Sequence, residues 1–176
     1  MIVVSELKLN LGSRDRSIPG FKNMDIDPHP GVDYVGDVSD LGQFADGSVS
    51  EIFASNILEH FRHTKTANVL KEWHRVLVPG GKLYLSVPNF RRAVQIYLRT
   101  GFKDWIQNLL MGDQGYETAI HYALFDENQI TELLISTGFH SVELVEAFHF
   151  APEKDCSNLR SNMDMLPVCI NLVAVK

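Results

Sequence analysis

The stretch that most constrains the fold runs from Lys82 to Val87. Apolar residues Leu83, Tyr84, Leu85 and Val87 crowd a short run bounded by Pro79-Gly80-Gly81 on one side and Pro88 on the other. A near-continuous apolar run of this length between chain breakers reads as a strand buried on both faces, at the centre of a parallel sheet. Just before it, Val69, Leu70, Trp73, Val76 and Leu77 fall at helical spacing within Thr64 to Leu77, so a helix with one apolar face precedes the strand. A helix feeding a central strand is the repeating unit of an α/β domain.

The same alternation extends in both directions. Upstream, strands are expected at Lys8–Leu11 (extending back toward Ile2), Phe21–Ile26, Asp33–Val35 and Glu51–Ser55, with the Asp46-Gly47 turn before the fourth. Downstream, Asn89 to Leu110 carries apolar residues on two helical faces broken at Thr100-Gly101 and is expected to form a cap, with Trp105 packing inside it and Trp73 in the core. A further helix starts at the N-cap Asp126, with Gln129 three residues on, and stops at Gly138. Ser141–Phe148 and Val168–Val175 follow with no helix between them, which predicts an antiparallel pair at the sheet edge joined by a loop over Asp155–Asp164.

Length and composition narrow the class. A chain of 176 residues fits one domain, and 45% hydrophobic with 22% charged residues is enough to build a core and too apolar for disorder. No apolar run reaches membrane-spanning length and no basic-then-apolar leader opens the chain, so a cytoplasmic protein without membrane contact is expected. Cys156 and Cys169 lack CxxC spacing and read as free thiols. The net charge of -6 works against nucleic-acid binding and favours a small-molecule substrate. Monomer and homodimer are both left open.

Several segments, taken in order, resemble the class I S-adenosylmethionine-dependent methyltransferases, in particular small members of the type 11 kind. They are Leu9-Asn10-Leu11-Gly12-Ser13, Asn23-Met24-Asp25-Ile26-Asp27, Gly36-Asp37-Val38, the stretch from Asp46 to His60 with Ala54-Ser55-Asn56-Ile57-Leu58-Glu59-His60 at its end, and Arg75 to Leu83 around Pro79-Gly80-Gly81. Gly138-Phe139 before the last strand pair also fits. The resemblance implies a Rossmann-like, doubly wound, mostly parallel sheet with an antiparallel terminal strand, over residues 1–176, with residues 89–122 inserted as a helical cap after the fifth strand. It further implies S-adenosylmethionine as cofactor and methyl transfer to a small acceptor.

Ligands of open α/β sheets bind at the carboxyl ends of the strands, which is where these segments lie. The resemblance assigns the cofactor to Asn10, Gly12, Ser13, Asp25, Ile26, Asp37, Val38, Ser55 and Asn56. Asp25, with Asp27 as its neighbour for the same role, would accept from adjacent ribose hydroxyls. Asp37 would receive the adenine amino group with Val38 as the apolar wall, and Ser55 and Asn56 would face the sulfonium. His60 and His121 are the candidate bases, because a neutral histidine titrates near working pH. His60 and His63 stand one helical turn apart with no Cys or carboxylate at ligand spacing beside them, so no metal is expected. Arg91 and Arg92 after the fifth strand, together with Arg14 and Arg16 after the first, are expected to lie along one edge and to meet an anionic acceptor, with Tyr122 nearby.

The chain departs from the family pattern at its glycine motif. Asn10 stands where an acidic residue is usual, and Arg14 and Arg16 stand where glycines are. About ten residues separate Leu11 from Phe21, too few for a helical crossover, so the first connection is expected to be a short loop. These departures motivate a second expectation, a catalytically silent methyltransferase-like binding or regulatory module. Absence of GxGxxG argues against a nicotinamide dehydrogenase.

Overall fold

The computed structural model describes residues 6–101, 104–115, 117–161 and 164–176. The extension of the first strand toward Ile2, and residues 102–103 and 116 of the expected cap, lie outside the described residues. Seven strands, β1 (Lys8–Leu11), β2 (Lys22–Asp25), β3 (Tyr34–Val35), β4 (Val49–Ser55), β5 (Leu77–Pro88), β6 (Ser141–Val145) and β7 (Cys169–Val175), form one sheet in the order β3-β2-β1-β4-β5-β7-β6. Strands β1 to β5 pair in parallel, whereas β7 runs antiparallel to both β5 and β6. This is the Rossmann-like doubly wound sheet with one reversed terminal strand that the sequence predicts. Among the described residues the helices are α1 (Thr66–Val76), α2 (Phe90–Thr100), α3 (Asp104–Met111) and α4 (Glu127–Ser136).

Helix α1 ends one residue before the predicted stop, and β5 begins at once at Leu77, running through Pro79-Gly80-Gly81 without an intervening loop. The break shows up as a shift in β4–β5 register between Val49 and Glu51. Gly81 is required there, since a Cβ would stand 2.8 Å from the Val78 carbonyl oxygen. The predicted cap at α4 is as drawn, Asp126 accepting a hydrogen bond from the Gln129 N–H. Strand β6 stops at Val145, short of Phe148, because Phe148 turns inward to a separate aromatic cluster.

The two faces of the sheet are covered differently. Alternation sends Leu9, Leu11, Ile52, Ala54, Leu83, Leu85, Val87, Ile170, Leu172 and Ala174 to one face, where they meet Val69, Leu70 and Trp73 of α1 and Ile130 and Leu134 of α4. The opposite face carries Phe53, Tyr84 and Val173. No helix lies in the short β1–β2 connection. Instead the β6–β7 connection folds back and supplies Phe148 and Phe150, whose rings pack edge-on to Phe53 at 5.6 and 5.5 Å between centroids. Asn171 fastens this connection to the sheet by donating to the carbonyls of Glu146 and Ser157. Helices α2 and α3 build a smaller cluster of their own around Ala93, Ile96 and Ile106, seated on Val168 and Cys169.

Candidate functional site

The register of the parallel strands brings the ends of β1, β2, β3 and β4 to one edge: Leu11 lies opposite Met24 and Ala54, and Asp25 opposite Val35. A cleft of about 1070 Å³ opens along this edge, between the strand ends and the α2–α3 side. Gly12, Asp25, Ile26, Asp37, Val38, Asn56, His60 and His121 all line it. Thus most of the residues singled out from sequence meet in one place.

Asp25 is buried and rigidly held. Its two oxygens accept from the Arg14 N–H at 2.7 Å and the Asp27 N–H at 3.1 Å. Each carboxylate oxygen retains a further lone pair for a ligand hydroxyl. Asp37 is exposed at the next strand end and bonds the Ser39 N–H. Val38 is buried beside it, and its carbonyl accepts from the Trp73 indole at 2.8 Å, which ties the cleft wall to α1. Asn56 sits in the left-handed region, φ 52°, immediately after β4, a conformation asparagine tolerates better than most side chains. Gly12 has φ 65°, and the reason differs from the expected one: a Cβ there would meet Ile57 Cδ1 at 2.7 Å, so the side chain pressed closest against this glycine is the protein's own.

Other expected residues stand elsewhere. Asn10 is buried beneath the edge, its amide donating to the Arg16 carbonyl and to Asn23 Oδ1. Ser13 is buried, with an unpartnered hydroxyl, and does not line the cleft. Ser55 gives its hydroxyl to Asp155 at 2.6 Å. Arg91 and Arg92 border a separate, smaller depression with Glu127 and Asn171, while Arg14 and Arg16 line the main cleft, so the two arginine pairs do not share an edge. The reason lies in α2: its first turn carries the buried Arg92 side chain into an ion pair with the partly exposed Asp164. Tyr122 is half-exposed outside the cleft, with the Arg62 guanidinium over its ring. Trp105 lines the cleft and is 40% exposed, so it packs within the cap only in part.

Two residues that sequence reasoning passed over organise the site. Asp155, in the polar connection between β6 and β7, is 2% exposed and receives the Ser55 hydroxyl, the Ser157 N–H and the Arg16 guanidinium. It fastens the connection across the ends of β1 and β4. The second is Glu59, in a 3-10 turn over Leu58–His60, fully buried, with the Asn56 side chain and its own backbone N–H beside the carboxyl group but neither in good hydrogen-bond geometry with its oxygens. A carboxylate inside Ile57-Leu58-Glu59-His60-Phe61, otherwise largely apolar, is the signal that was available.

Around Glu59 the electrostatics are set by burial. Loss of water pushes its carboxyl up to about 8. Burial lowers His60, and burial followed by the neighbouring His60 ring lowers His121 to about 4. Near neutral pH both imidazoles are therefore uncharged. Their rings meet edge to face, 4.7 Å between centroids. The Nδ1 atoms are held by backbone carbonyls, Ile120 O for His60 and Leu109 O for His121, each at 3.1 Å. Those carbonyls can only accept, so each Nδ1 carries the proton and each Nε2 presents a lone pair. Both cysteines are free, and burial raises Cys156 and pushes Cys169 up to about 12, so they stand as thiols. No helix among the described residues is long and apolar enough to cross a membrane.

A parallel sheet with this strand order, carrying an acidic β2 end and a cleft over the strand tips, defines the class I methyltransferase architecture. Solved structures agree. A S-adenosylmethionine-dependent methyltransferase from Archaeoglobus fulgidus superposes with a TM-score of 0.62 at 12% identity, over 98% of this chain and 86% of that one. One from Methanosarcina mazei gives 0.61 at 17% identity, over 99% and 94%. A third, the 1,6-didemethyltoxoflavin-N1-methyltransferase of Burkholderia thailandensis with S-adenosylhomocysteine bound, gives 0.58 at 16%, over 98% and 71%. Residues 20–85, from β2 into β5, match the family described as methyltransferase domain, and the fold of the whole chain is the one these methyltransferases share. No curated protein matches the sequence.

Proposed function

We propose that this chain is an S-adenosylmethionine-dependent methyltransferase acting on an oxygen or nitrogen of a small molecule. The observation that carries the reading is the buried Asp25 carboxylate at the end of β2, opening on the same cleft as Asp37 and Val38. Such an arrangement suits a nucleoside, with a fixed acceptor for the ribose hydroxyls and an apolar wall and a carboxylate for the base. At about 1070 Å³ the cleft has room for a cofactor and an acceptor together. The Arg14 and Arg16 loop replaces the usual glycines at the end where the cofactor's carboxylate would lie.

When bound, the cofactor supplies an activated methyl group. The chain's own part is alignment and proton removal. The lone pairs on Nε2 of His60 and His121 are the available bases, kept neutral by burial. Helices α2 and α3 act as the cap, with Trp105 facing the acceptor. An acceptor with negative charge would meet Arg14, Arg16 and Arg160 along the cleft, of which Arg16 and Arg160 are already paired with Asp155 and Glu146. Two free thiols, Cys169 buried and Cys156 partly so, agree with a reducing, cytoplasmic setting.

One observation favours the second reading, a silent binding module: Ile57 packs over Gly12 and takes up space beside the glycine turn. Calorimetric titration with S-adenosylhomocysteine decides. Micromolar binding that Asp25→Ala abolishes is expected of the enzyme; no binding to folded protein would establish the module instead.

A further inference from the structure

Glu59, His60 and His121 come together from two segments about sixty residues apart in sequence, and one ligand-capable atom of each lies within 4.8 Å of the other two. His121 Nε2 stands 4.0 Å from Glu59 Oε1, too far for a hydrogen bond. A fully buried carboxyl group with no well-aligned donor on either oxygen is a polar group short of partners inside the protein, and a cation at this point would complete it. The two histidines are prepared in the manner of metal ligands: a backbone carbonyl fixes each Nδ1–H, orients the ring and leaves Nε2 as the donor atom. From these observations we propose that Glu59, His60 and His121 form a binding site for a divalent transition-metal ion at the floor of the cleft.

Two imidazoles and a carboxylate suit zinc or another first-row ion and are too nitrogen-rich for calcium or magnesium. Metal–ligand bonds of about 2.1 Å bring ligand atoms to about 3.4 Å from one another in a tetrahedral site. The three side chains therefore need to close in by about 1 Å, which side-chain rotation supplies. His60 and His121 line the cleft while Glu59 lies beneath it, so the protein ligands occupy one side of the ion and the remaining position faces the acceptor. An ion held so would bind an acceptor oxygen directly and lower its pKa, taking over the work given above to the free imidazoles. That consequence rests on the methyl-transfer reading, whereas occupancy of the site does not.

The test is titration of the metal-free full chain with Zn2+, without cofactor, by calorimetry, with NMR of the histidine rings in the unaltered protein. One ion per chain is expected, shifting the His60 and His121 resonances and leaving His63 and His29 unmoved. Glu59→Gln and His121→Ala should each weaken binding at least about tenfold, with folding checked by circular dichroism. Asp27→Asn, which alters the cluster of buried Asp25 with exposed Asp27 and His29, should leave it unchanged. Absence of binding, shifts confined to other histidines, or loss of affinity in Asp27→Asn would overturn the site. Cofactor titration is read separately, so S-adenosylhomocysteine binding without zinc binding removes the metal site alone, and the reverse removes the methyl-transfer reading alone.

Discussion

Gly12 shows how one atom decides a local structure. Alanine there would hold φ 65° against its own Cβ and meet Ile57 at 2.7 Å. The left-handed backbone alone costs about 1–2 kcal/mol, and the clash adds to it. Gly12→Ala is therefore expected to lower stability by more than about 2 kcal/mol, and Ile57→Ala in the same chain to recover the steric part and leave the backbone part. Chemical denaturation of the two single variants and the double variant measures the coupling. If the losses simply add, the glycine is not there for Ile57. The same residues show what the sequence disclosed. Asp25, Asp37 and Asn56 were legible because each stands at or just past the end of an expected strand. Glu59 offered only the signal of a carboxylate in an apolar stretch, and Asp155 offered none, because its importance depends on Ser55 and Arg16, 100 and 139 residues away.

Elements are joined by a few polar fastenings. Helix α1 is held to the loop before β4 by Arg75, which bonds Glu72 and reaches the carbonyls of Leu41 and Phe44. Its guanidinium holds the Glu72 carboxyl below the ordinary value of 4.5, with the Leu41 N–H adding to the effect. A carboxyl with a depressed folded pKa lends stability that is present above the unfolded value and is lost as pH falls through the folded one. Denaturant midpoints followed below about pH 4.5 should thus fall more steeply for the native chain than for Glu72→Gln. Parallel curves would show that the pairing carries no linkage. The fastening by Asp155 is stronger, since removing it strands the Ser55 hydroxyl and the Arg16 guanidinium together. Asp155→Ala should cost about 3 kcal/mol and Asp155→Asn less, with amide exchange quickening first over residues 155–159. Arg91 and Arg92 mark the limit of element-level reading: helical spacing places them after β5, yet the turn of α2 and a partner at Asp164 in a distant loop carry them to another surface.

For the whole molecule, the cleft and the sheet are one cooperative object, so a ligand seated across four strand ends should stabilise all of it. S-adenosylhomocysteine at about 100 times its dissociation constant adds about 2.7 kcal/mol, which for a chain of this size raises Tm by about 5–10 °C. Asp25→Ala should abolish the shift, and a rise that persists in that variant would place the ligand elsewhere. The architecture was readable from the sequence because strand and helix periods are local. Which layer covers each face was not, since Phe148 and Phe150 replace a helix from the far side of the chain. That replacement also orders events in time. The strands whose tips form the cleft are complete by Ser55, but their second face and the clamp at Asp155 come about a hundred residues later. As the chain leaves the ribosome, Phe53, Tyr84 and the bare tips of β1 and β4 must wait, unsatisfied and apolar, for the β6–β7 segment to arrive. Synthesis is thus the interval in which this protein most needs a chaperone.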